Sequence, residues 1–355
     1  MMIGTNYTRE VSVCKYLDPF NGFQEKKATV EMRRDAITGV VTRILPFRSR
    51  AYQRPDIDAY LEKSPPEKCP FCLPQRERLT PRFTADVSPA GQFRRGEAVL
   101  FPNAFPHDQF NGVALFSSHH FLGMEDLKPA IMRDAFLICR DYFTRMWELH
   151  PDLEYASINW NYMPPAGGGL IHPHLQTVMG RRPTRFVQGL LDSVRGYEET
   201  GGHLWAALIA AEKEAGERHI ASTGRLEWMV SFAPKGMAGE IDFYLPGRTS
   251  IFTVTEAEID ELLQGLTWVF TYLNTSNLIS FDLSLYATLR EDRRFPIQGR
   301  IIPRYMILPL GASDINYFEK LHDEIICPVI PEQLCAELRP YFQTEDPPGN
   351  SDRES

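Results

Sequence analysis

Two long segments with the apolar spacing of a helix, each set among short strand-like segments, constrain the fold of this chain most. In the first, residues 126–150, apolar residues recur every three or four positions: Ile131, Ala135, Ile138, Tyr142 and Met146. This spacing predicts a helix of about six turns. Pro129 suits its first turn, and Pro151 follows its end. The second helix is predicted at 256–274, after the candidate N-cap Thr255.

The segments around these helices read as strands in the same order in both halves of the chain. In the first half the predicted strands are 97–101, 112–117, 155–161 and 171–178. In the second half we expect helices at 203–217 and 331–341 and strands at 225–233, 239–245, 279–289 and 299–308. The polar, Arg-rich stretch 180–202 reads as the join. The pattern predicts an α+β protein of two domains, 1–195 and 196–343, followed by a disordered tail at 344–355.

Composition excludes several classes of protein. Hydrophobic residues make up 43% of the chain and charged residues 24%, the balance of an ordinary globular protein and not of a disordered one. No apolar run is long enough to span a membrane, and the first residues do not resemble a secretory signal, so we expect a cytoplasmic protein. The net charge of −8 disfavours nucleic acid and membrane surfaces as partners. An anionic ligand would therefore need a local cationic pocket.

Cys69 and Cys72 form a CxxC pair flanked by prolines in a predicted loop. Two thiolates at this spacing can bind one tetrahedral zinc ion, although a redox pair has the same spacing. Zinc is favoured because no thioredoxin-like βαβ unit is evident around the pair. Candidates for the other two ligands are His119, His120 and His172. The remaining four cysteines are scattered, read as buried apolar residues, and receive no role.

The second chemically suggestive segment is GGGLIHPHLQ at 167–176. If it is extended, His172, His174 and Gln176 project from one face at intervals of about 6.6 Å. Pro173 cannot donate a hydrogen bond to a neighbouring strand, which predicts an edge strand or a bulge. The glycines Gly167, Gly168 and Gly169 would let backbone N–H groups surround an anion.

These residues suit attack by a neutral imidazole on phosphorus, because histidine also leaves phosphorus readily and can pass the group to a second acceptor. A plainer interpretation is two surface histidines beside a flexible glycine turn. The segment alone does not separate the two.

Several motifs together resemble the galactose-1-phosphate uridylyltransferase family of the histidine triad superfamily. They are RRDAITGVVTRILPFR at 33–48, CPFC at 69–72, VLFPNAFP at 99–106, FSSHH at 116–120 and IHPHLQ at 171–176. The resemblance is clear over 30–180 and weaker beyond. It implies two histidine-triad-like half-barrel domains, antiparallel sheets with packed helices, and UMP transfer from UDP-glucose to galactose 1-phosphate through a nucleotidyl-histidine, a role in galactose and carbohydrate metabolism.

The resemblance also implies roles for individual residues. His174 would be the nucleophile, Gln176 would steady the transferred phosphoryl group, and Asn161 would support the nucleophile's loop. One structural Zn²⁺ would be held by a set of four ligands: Cys69, Cys72, His120 (with His119 as the alternative) and His172. Substrate would be bound by Arg48 and Asn103 together with the glycines Gly167, Gly168 and Gly169. The partners would be a nucleotide sugar and a sugar phosphate, in a possible homodimer.

Departures from the family pattern leave the substrate open. Gly169 stands where the family has a phosphate-binding serine, and Ala104 follows Asn103 where the family often has aspartate. The second-half stretch 281–287 lacks the family's His-x-His, and Pro309-Leu310 replaces a Tyr-Glu pair near the sugar. An ADP-sugar or dinucleoside polyphosphate phosphorylase of the same superfamily and a non-catalytic nucleotide-binding homologue are therefore alternatives. The acceptor could be a sugar phosphate, phosphate or water.

Overall fold

The structure is a computed structural model that describes residues 7–199 and 201–343. The strands are β1 (Thr8–Asp18), β2 (Gln24–Arg34), β3 (Val41–Ile44), β4 (Phe93–Arg95), β5 (Ala98–Pro102), β6 (Phe110–Leu115), β7 (Tyr155–Tyr162), β8 (His174–Gly180), β9 (His219–Thr223), β10 (Leu226–Val230), β11 (Ile241–Leu245), β12 (Phe281–Thr288), β13 (Ile297–Pro303), β14 (Met306–Ile307), β15 (Ala312–Ser313) and β16 (Ile325–Cys327). The α-helices are α1 (Ile57–Lys63), α2 (Gln75–Leu79), α3 (Pro129–Leu149), α4 (Arg185–Glu198), α5 (Leu204–Ala215), α6 (Glu256–Thr275), α7 (Tyr317–His322) and α8 (Pro331–Gln343).

Ten strands form one sheet in the order β4-β5-β6-β8-β7-β12-β13-β11-β10-β9. From one edge to the centre the first half contributes β4, β5, β6, β8 and β7, and from the other edge the second half contributes β9, β10, β11, β13 and β12, which is the same order along the chain. In sequence, α3 lies between β6 and β7, and α6 lies between β11 and β12. The two halves meet where β7 and β12 pair antiparallel along their full length. The repeated order of elements predicted from the sequence is thus present, although that each half is a half-barrel domain remains a prediction.

One face of the sheet is covered by the two long helices. Phe136 and Phe143 of α3 and Leu266 and Phe270 of α6 lie in a single buried cluster with Trp160 and Phe281 of the central strands. Burial of one aromatic side chain of this size contributes about 1.5–3 kcal/mol, so this shared core holds both halves on one sheet. Thr255 caps α6 as predicted, with Glu258 completing a capping box.

The opposite face is covered differently in the two halves. In the second half it packs against α4 and α5, whose Leu190 and Leu208 join a cluster with Tyr244. In the first half a small apolar group lies on this face: Val99, Phe101, Val113 and Leu115. Among the described residues, Phe71 from the loop after α1 is the partly buried apolar side chain that packs against it. The polar side chains of β7 and β8 lie on this less covered face, which therefore has room for a site.

A separate four-stranded sheet has the order β1-β2-β3-β16. This sheet joins an early and a late part of the chain, because β16 pairs parallel with β3. β1 and β2 form an eleven-residue antiparallel ladder, and every residue of β1 before Asp18 is exposed. This long hairpin was not predicted from the sequence.

Three expectations need correction. The strand predicted at 171–178 begins at His174, so His172 does not share its face. Nor is β8 an edge strand, because it lies between β6 and β7, and Pro173 precedes the ladder. Cys14 is exposed, whereas the other five cysteines are buried.

The predicted domain boundary at 195 falls inside α4, and the division into two domains stays a prediction. The tail 344–355 lies outside the described residues. Within the described part of the chain, no helix is long and apolar enough to cross a membrane.

Candidate active site and metal centre

Four residues from three separate loops converge on one point. Cys69 and Cys72 lie in the turn before α2, His120 follows β6, and His172 precedes β8. One ligand atom from each lies within 4.8 Å of the other three. Sγ of Cys72 is 3.2 Å from Nδ1 of His120 and 3.5 Å from Nδ1 of His172. The structure therefore brings together the four residues assigned to metal by resemblance.

Backbone carbonyl groups hold both histidine rings in the orientation that metal binding requires. Nε2 of His120 lies 2.6 Å from the carbonyl oxygen of Ser64, and Nε2 of His172 lies 3.3 Å from that of Ser117. Each Nε2 is thus the protonated nitrogen, and each Nδ1 carries a lone pair aimed at the cysteines. Such second hydrogen bonds are characteristic of metal-bound histidines.

In the absence of a cation, burial disfavours the charged forms of these side chains. Burial, with the neighbouring Cys69 thiol, raises the pKa of Cys72 to about 12. Burial also lowers the pKa of His172 to about 4, so its ring is neutral at pH 7. A divalent cation reverses the effect on the thiols because it binds them as thiolates. Two sulfur and two imidazole donors suit zinc, and four protein ligands leave no open position for water.

His119, the alternative ligand, lies outside this group. Its side chain is exposed, and its Nδ1 lies 3.0 Å from the hydroxyl of Ser117. The same hydroxyl accepts the backbone N–H of His119 at 3.2 Å, so both the ring and the backbone of His119 contact Ser117.

His174 is the first residue of β8 and is half-buried on the less covered face. Its Nδ1 donates to the carbonyl oxygen of His172 at 2.8 Å, which leaves the lone pair on Nε2. Burial lowers its pKa, so the neutral ring predominates at pH 7. Phe71, between the two cysteines, contacts both rings edge-on, with centroids 5.2 Å from His174 and 5.9 Å from His172.

A row of amides continues from His174 across the sheet. Gln176 lies two residues further along β8, and its Oε1 accepts from Nδ2 of Asn103 at 3.5 Å. Asn103 also donates to Oδ1 of Asn111 at 2.9 Å. On the other side, Nδ2 of Asn159 donates to the carbonyl of Gln176 at 3.3 Å, and Ser284 donates to Oδ1 of Asn159 at 2.8 Å. The site thus extends to β12 of the second half.

The glycine loop lies between β7 and β8, beside Asn161. Gly167 has φ +78°, and a Cβ there would lie 3.8 Å from Nδ2 of Asn161. At Gly168 a Cβ would lie 3.0 Å from the carbonyl oxygen of Met163 and 3.1 Å from that of Asn161. Gly169 is exposed, and nothing lies within 4 Å of its Cβ position. Two of the three glycines are therefore required by the local backbone, and the third opens onto free space.

The arginines are placed elsewhere. Arg48 is exposed and, with Arg50, Tyr52 and Tyr305, lines a cavity of about 560 Å³ whose walls include neither His174 nor Gln176. Arg181 pairs with Asp152 on the surface. The structure thus does not bring Arg48 to the histidine within this chain.

Sequence reasoning missed Phe71, Asn111, Asn159 and Ser284. Phe71 could have been noticed as the aromatic residue inside the CxxC motif. The other three carry no local signal, because their positions depend on which strands become neighbours in the sheet.

Comparisons with known proteins show what the chain resembles in sequence and in fold. No protein-family profile matches the chain. An uncharacterised protein of Archaeoglobus fulgidus is 28% identical over 338 residues, covering 94% of this chain and 98% of that protein. An ADP-glucose phosphorylase from Arabidopsis thaliana, solved with bound ADP-glucose, superposes with a TM-score of 0.66 at 18% identity, covering 87% of this chain and 98% of the other. A uridylyltransferase structure gives 0.61 at 18% identity, covering 88% and 98%. The chain is thus similar in fold to uridylyltransferase and ADP-glucose phosphorylase structures, and the resemblance seen in its sequence is confirmed at the level of fold.

Proposed function

We propose that the protein is a nucleotidyltransferase that works through a covalent nucleotidyl-histidine on His174. The observation that carries this proposal is the hydrogen bond from Nδ1 of His174 to the carbonyl of His172, which leaves Nε2 unprotonated on the less covered face. A neutral imidazole with one nitrogen held by the backbone is a competent nucleophile at neutral pH. The fold it shares with nucleotide-using enzymes supports the same conclusion.

In the proposed first step, Nε2 attacks the α-phosphorus of a nucleoside diphosphate sugar. The N–P bond forms as the bond to the bridging oxygen breaks, and that oxygen leaves with the electron pair as sugar 1-phosphate. In the second step a phosphate oxygen of the acceptor attacks the same phosphorus and displaces the imidazole. Gln176 and the backbone N–H of Gly169 are the donors we propose for the non-bridging oxygens. The N–H groups of Gly167 and Gly168 instead donate to the carbonyl oxygens of Pro164 and Met163, which shapes the loop.

Zinc is the metal we propose for Cys69, Cys72, His120 and His172, and its contribution is structural. The carbonyl that holds Nδ1 of His174 belongs to His172, one of these four residues. Fixing His172 therefore fixes the hydrogen-bond acceptor of the nucleophile, and small displacements of a nucleophile sharply reduce rate.

A cavity of about 250 Å³ beside the amide row is the place we propose for the acceptor. Ser284, which donates to Asn159, lines it together with Lys235, Arg300 and Arg304. Both arginines pair with carboxylates, whereas no ion pair of Lys235 occurs among the described residues. β12 is two strands from β8, about 10 Å, a distance that a sugar phosphate can span. Lys235→Ala should raise the KM for the acceptor more than the KM for the donor.

UDP-glucose with a hexose 1-phosphate is the leading substrate pair, and phosphorolysis of an ADP-sugar or a dinucleoside polyphosphate is the alternative. Because the similar Arabidopsis structure holds ADP-glucose, the adenine nucleotide should be tested alongside the uridine nucleotide. A non-catalytic nucleotide-binding homologue is the remaining candidate, and a covalent label would exclude it.

The decisive experiment is to incubate the protein with UDP-glucose or ADP-glucose carrying ³²P at the α-phosphate. We expect acid-labile label on the protein from one of the two, and no label from the same nucleotide sugar carrying ¹⁴C in the sugar. His174→Ala should lose the label while keeping metal and fold. A chase with hexose 1-phosphate or with inorganic phosphate then identifies the acceptor. Absence of label from both nucleotides would refute the proposed mechanism.

A further inference from the structure

The side-chain amide of Gln176 has a hydrogen-bond partner at only one of its two ends. Its Oε1 accepts from Nδ2 of Asn103 at 3.5 Å, whereas no group in the described part of the chain accepts from its Nε2. Gln176 lies two residues from His174 on the same face of β8, about 6.6 Å along the strand. The orientation of this amide therefore decides whether a donor or an acceptor faces the proposed transfer.

The amide of Asn111 is oriented by two backbone groups of fixed polarity. The carbonyl oxygen of Thr177 can only accept, and Nδ2 of Asn111 donates to it. The backbone N–H of His107 can only donate, and Oδ1 of Asn111 accepts it at 3.0 Å. Asn111 is 5% exposed, so turning its amide over would set like groups against each other away from water. Its amide is thus held in one of its two orientations.

The orientation of Asn111 is passed on through Asn103. Oδ1 of Asn111 accepts from Nδ2 of Asn103 at 2.9 Å, and Oδ1 of Asn103 accepts the backbone N–H of Phe105 at 2.9 Å. Nδ2 of Asn103 carries two hydrogens, and the second is directed at Oε1 of Gln176. Because Gln176 accepts at its oxygen on this side, its Nε2 is left as the free donor.

We infer that Asn111 is a positioning residue, which acts through Asn103 to keep Nε2 of Gln176 directed at the transferred phosphoryl group. This role rests on the proposed function, since Gln176 is one of the donors proposed for the non-bridging oxygens. If the amide of Gln176 turned over, its own oxygen would meet those oxygens, and attraction would become repulsion. A purely structural role for Asn111, which is to satisfy buried backbone groups, predicts a different outcome when Gln176 is absent.

The test is a double-mutant cycle between Asn111 and Gln176, measured on the rate of His174 labelling. Asn111→Ala removes the acceptor for Nδ2 of Asn103 and should lower this rate about tenfold. Asn111→Asp keeps an oxygen at that place and should retain most of the rate. In the Gln176→Ala background, Asn111→Ala should have almost no effect, because no amide is left to orient. An equal loss in both backgrounds would show that Asn111 only supports the fold, and would overturn the inference.

Binding of UMP and AMP, measured by calorimetry, gives the same cycle without a chemical step. For the nucleotide that binds more tightly, Gln176→Ala should raise Kd about tenfold because a hydrogen bond to a charged phosphate is lost. Asn111→Ala should raise Kd about threefold alone and should add nothing to Gln176→Ala. If no label forms but this binding cycle holds, the proposed mechanism fails and the role of Asn111 stands. Absence of nucleotide binding, or losses that simply add, would overturn that role.

Circular dichroism and metal content show whether each variant is folded. If Asn111→Ala does not fold, Asn103→Ala breaks the same chain of hydrogen bonds one step later, at a half-buried loop residue. Most of its effect should likewise disappear in the Gln176→Ala background. An effect of Asn103→Ala that is equal in both backgrounds would contradict the inference just as clearly.

Discussion

Glu332, at the start of α8, is expected to make a large and strongly pH-dependent contribution to stability. Both of its oxygens accept from Arg33 at 2.9 Å, and Arg218 donates to one of them at 3.0 Å. The Arg33 side chain is 2% exposed and that of Glu332 23%. Burial raises the pKa of Glu332, but the hydrogen bonds and charge of Arg33, with Arg218, outweigh it and lower the pKa from 4.5 to about 2.

The magnitude follows from this shift. A difference of about 2.5 pKa units between unfolded and folded protein corresponds to about 3 kcal/mol of stability at pH 7. Because the folded-state pKa is the lower one, this contribution is complete above the unfolded pKa and is lost as the pH falls toward 2. At pH 3 about two fifths of it remains. Glu332→Gln should therefore destabilise the protein at pH 7, and its deficit should shrink by about 2 kcal/mol at pH 3.

Urea unfolding of both proteins at pH 7 and pH 3 measures this deficit. Other titrating groups, including the metal ligands, are the same in both and cancel in the comparison. Asp152→Asn removes the carboxylate of a surface pair with Arg181, and its effect should be far smaller at both pH values because water screens exposed pairs. A Glu332→Gln deficit that is equal at pH 7 and pH 3 would refute the reasoning.

Three further outcomes are expected. Phe71→Ala should lower the rate of His174 labelling about tenfold with little change in metal content, whereas Phe71→Leu should retain most of it; rapid-quench labelling measures this. Cys72→Ser should lose the bound metal and His119→Ala should keep about one ion per chain by mass spectrometry. Gly168→Ala should cost about 1–3 kcal/mol in urea unfolding because its Cβ would press on two carbonyl oxygens, and Gly169→Ala should cost almost nothing.

β7, β8 and β12 show the alternation of strands with one buried face. β4 and β9, the two edge strands of the large sheet, were not predicted. The long helices α3 and α6 could be predicted from their apolar spacing. α4 has the same signal, since Val187, Leu190, Leu191 and Val194 are its buried residues, but the arginines around it suggested a polar join. The β1–β2 hairpin has no buried face, so periodicity gives little information about it.

Among the predicted site residues, the four metal ligands come together, Arg48 lies elsewhere, and the geometry around His172 differs from the expectation. The alternation argument placed His172 and His174 on one face of a strand. The ladder begins only after Pro173, which has no N–H to donate, and the chain before it is free to turn the His172 side chain toward the cysteines. The preference for His120 over His119 came from the resemblance, and the structure places His120 with the two cysteines and His172.

The β7–β12 pairing has a consequence for how substrate enters and leaves. Eight successive residue pairs join the halves at the centre of one sheet, and the helices of both halves share a core beneath it. Two lobes fused in this way do not open and close about a hinge as separate lobes would. In the proposed reaction, release of the first product and entry of the acceptor would therefore depend on the segments above the sheet, chiefly the glycine loop and the turn that carries Phe71.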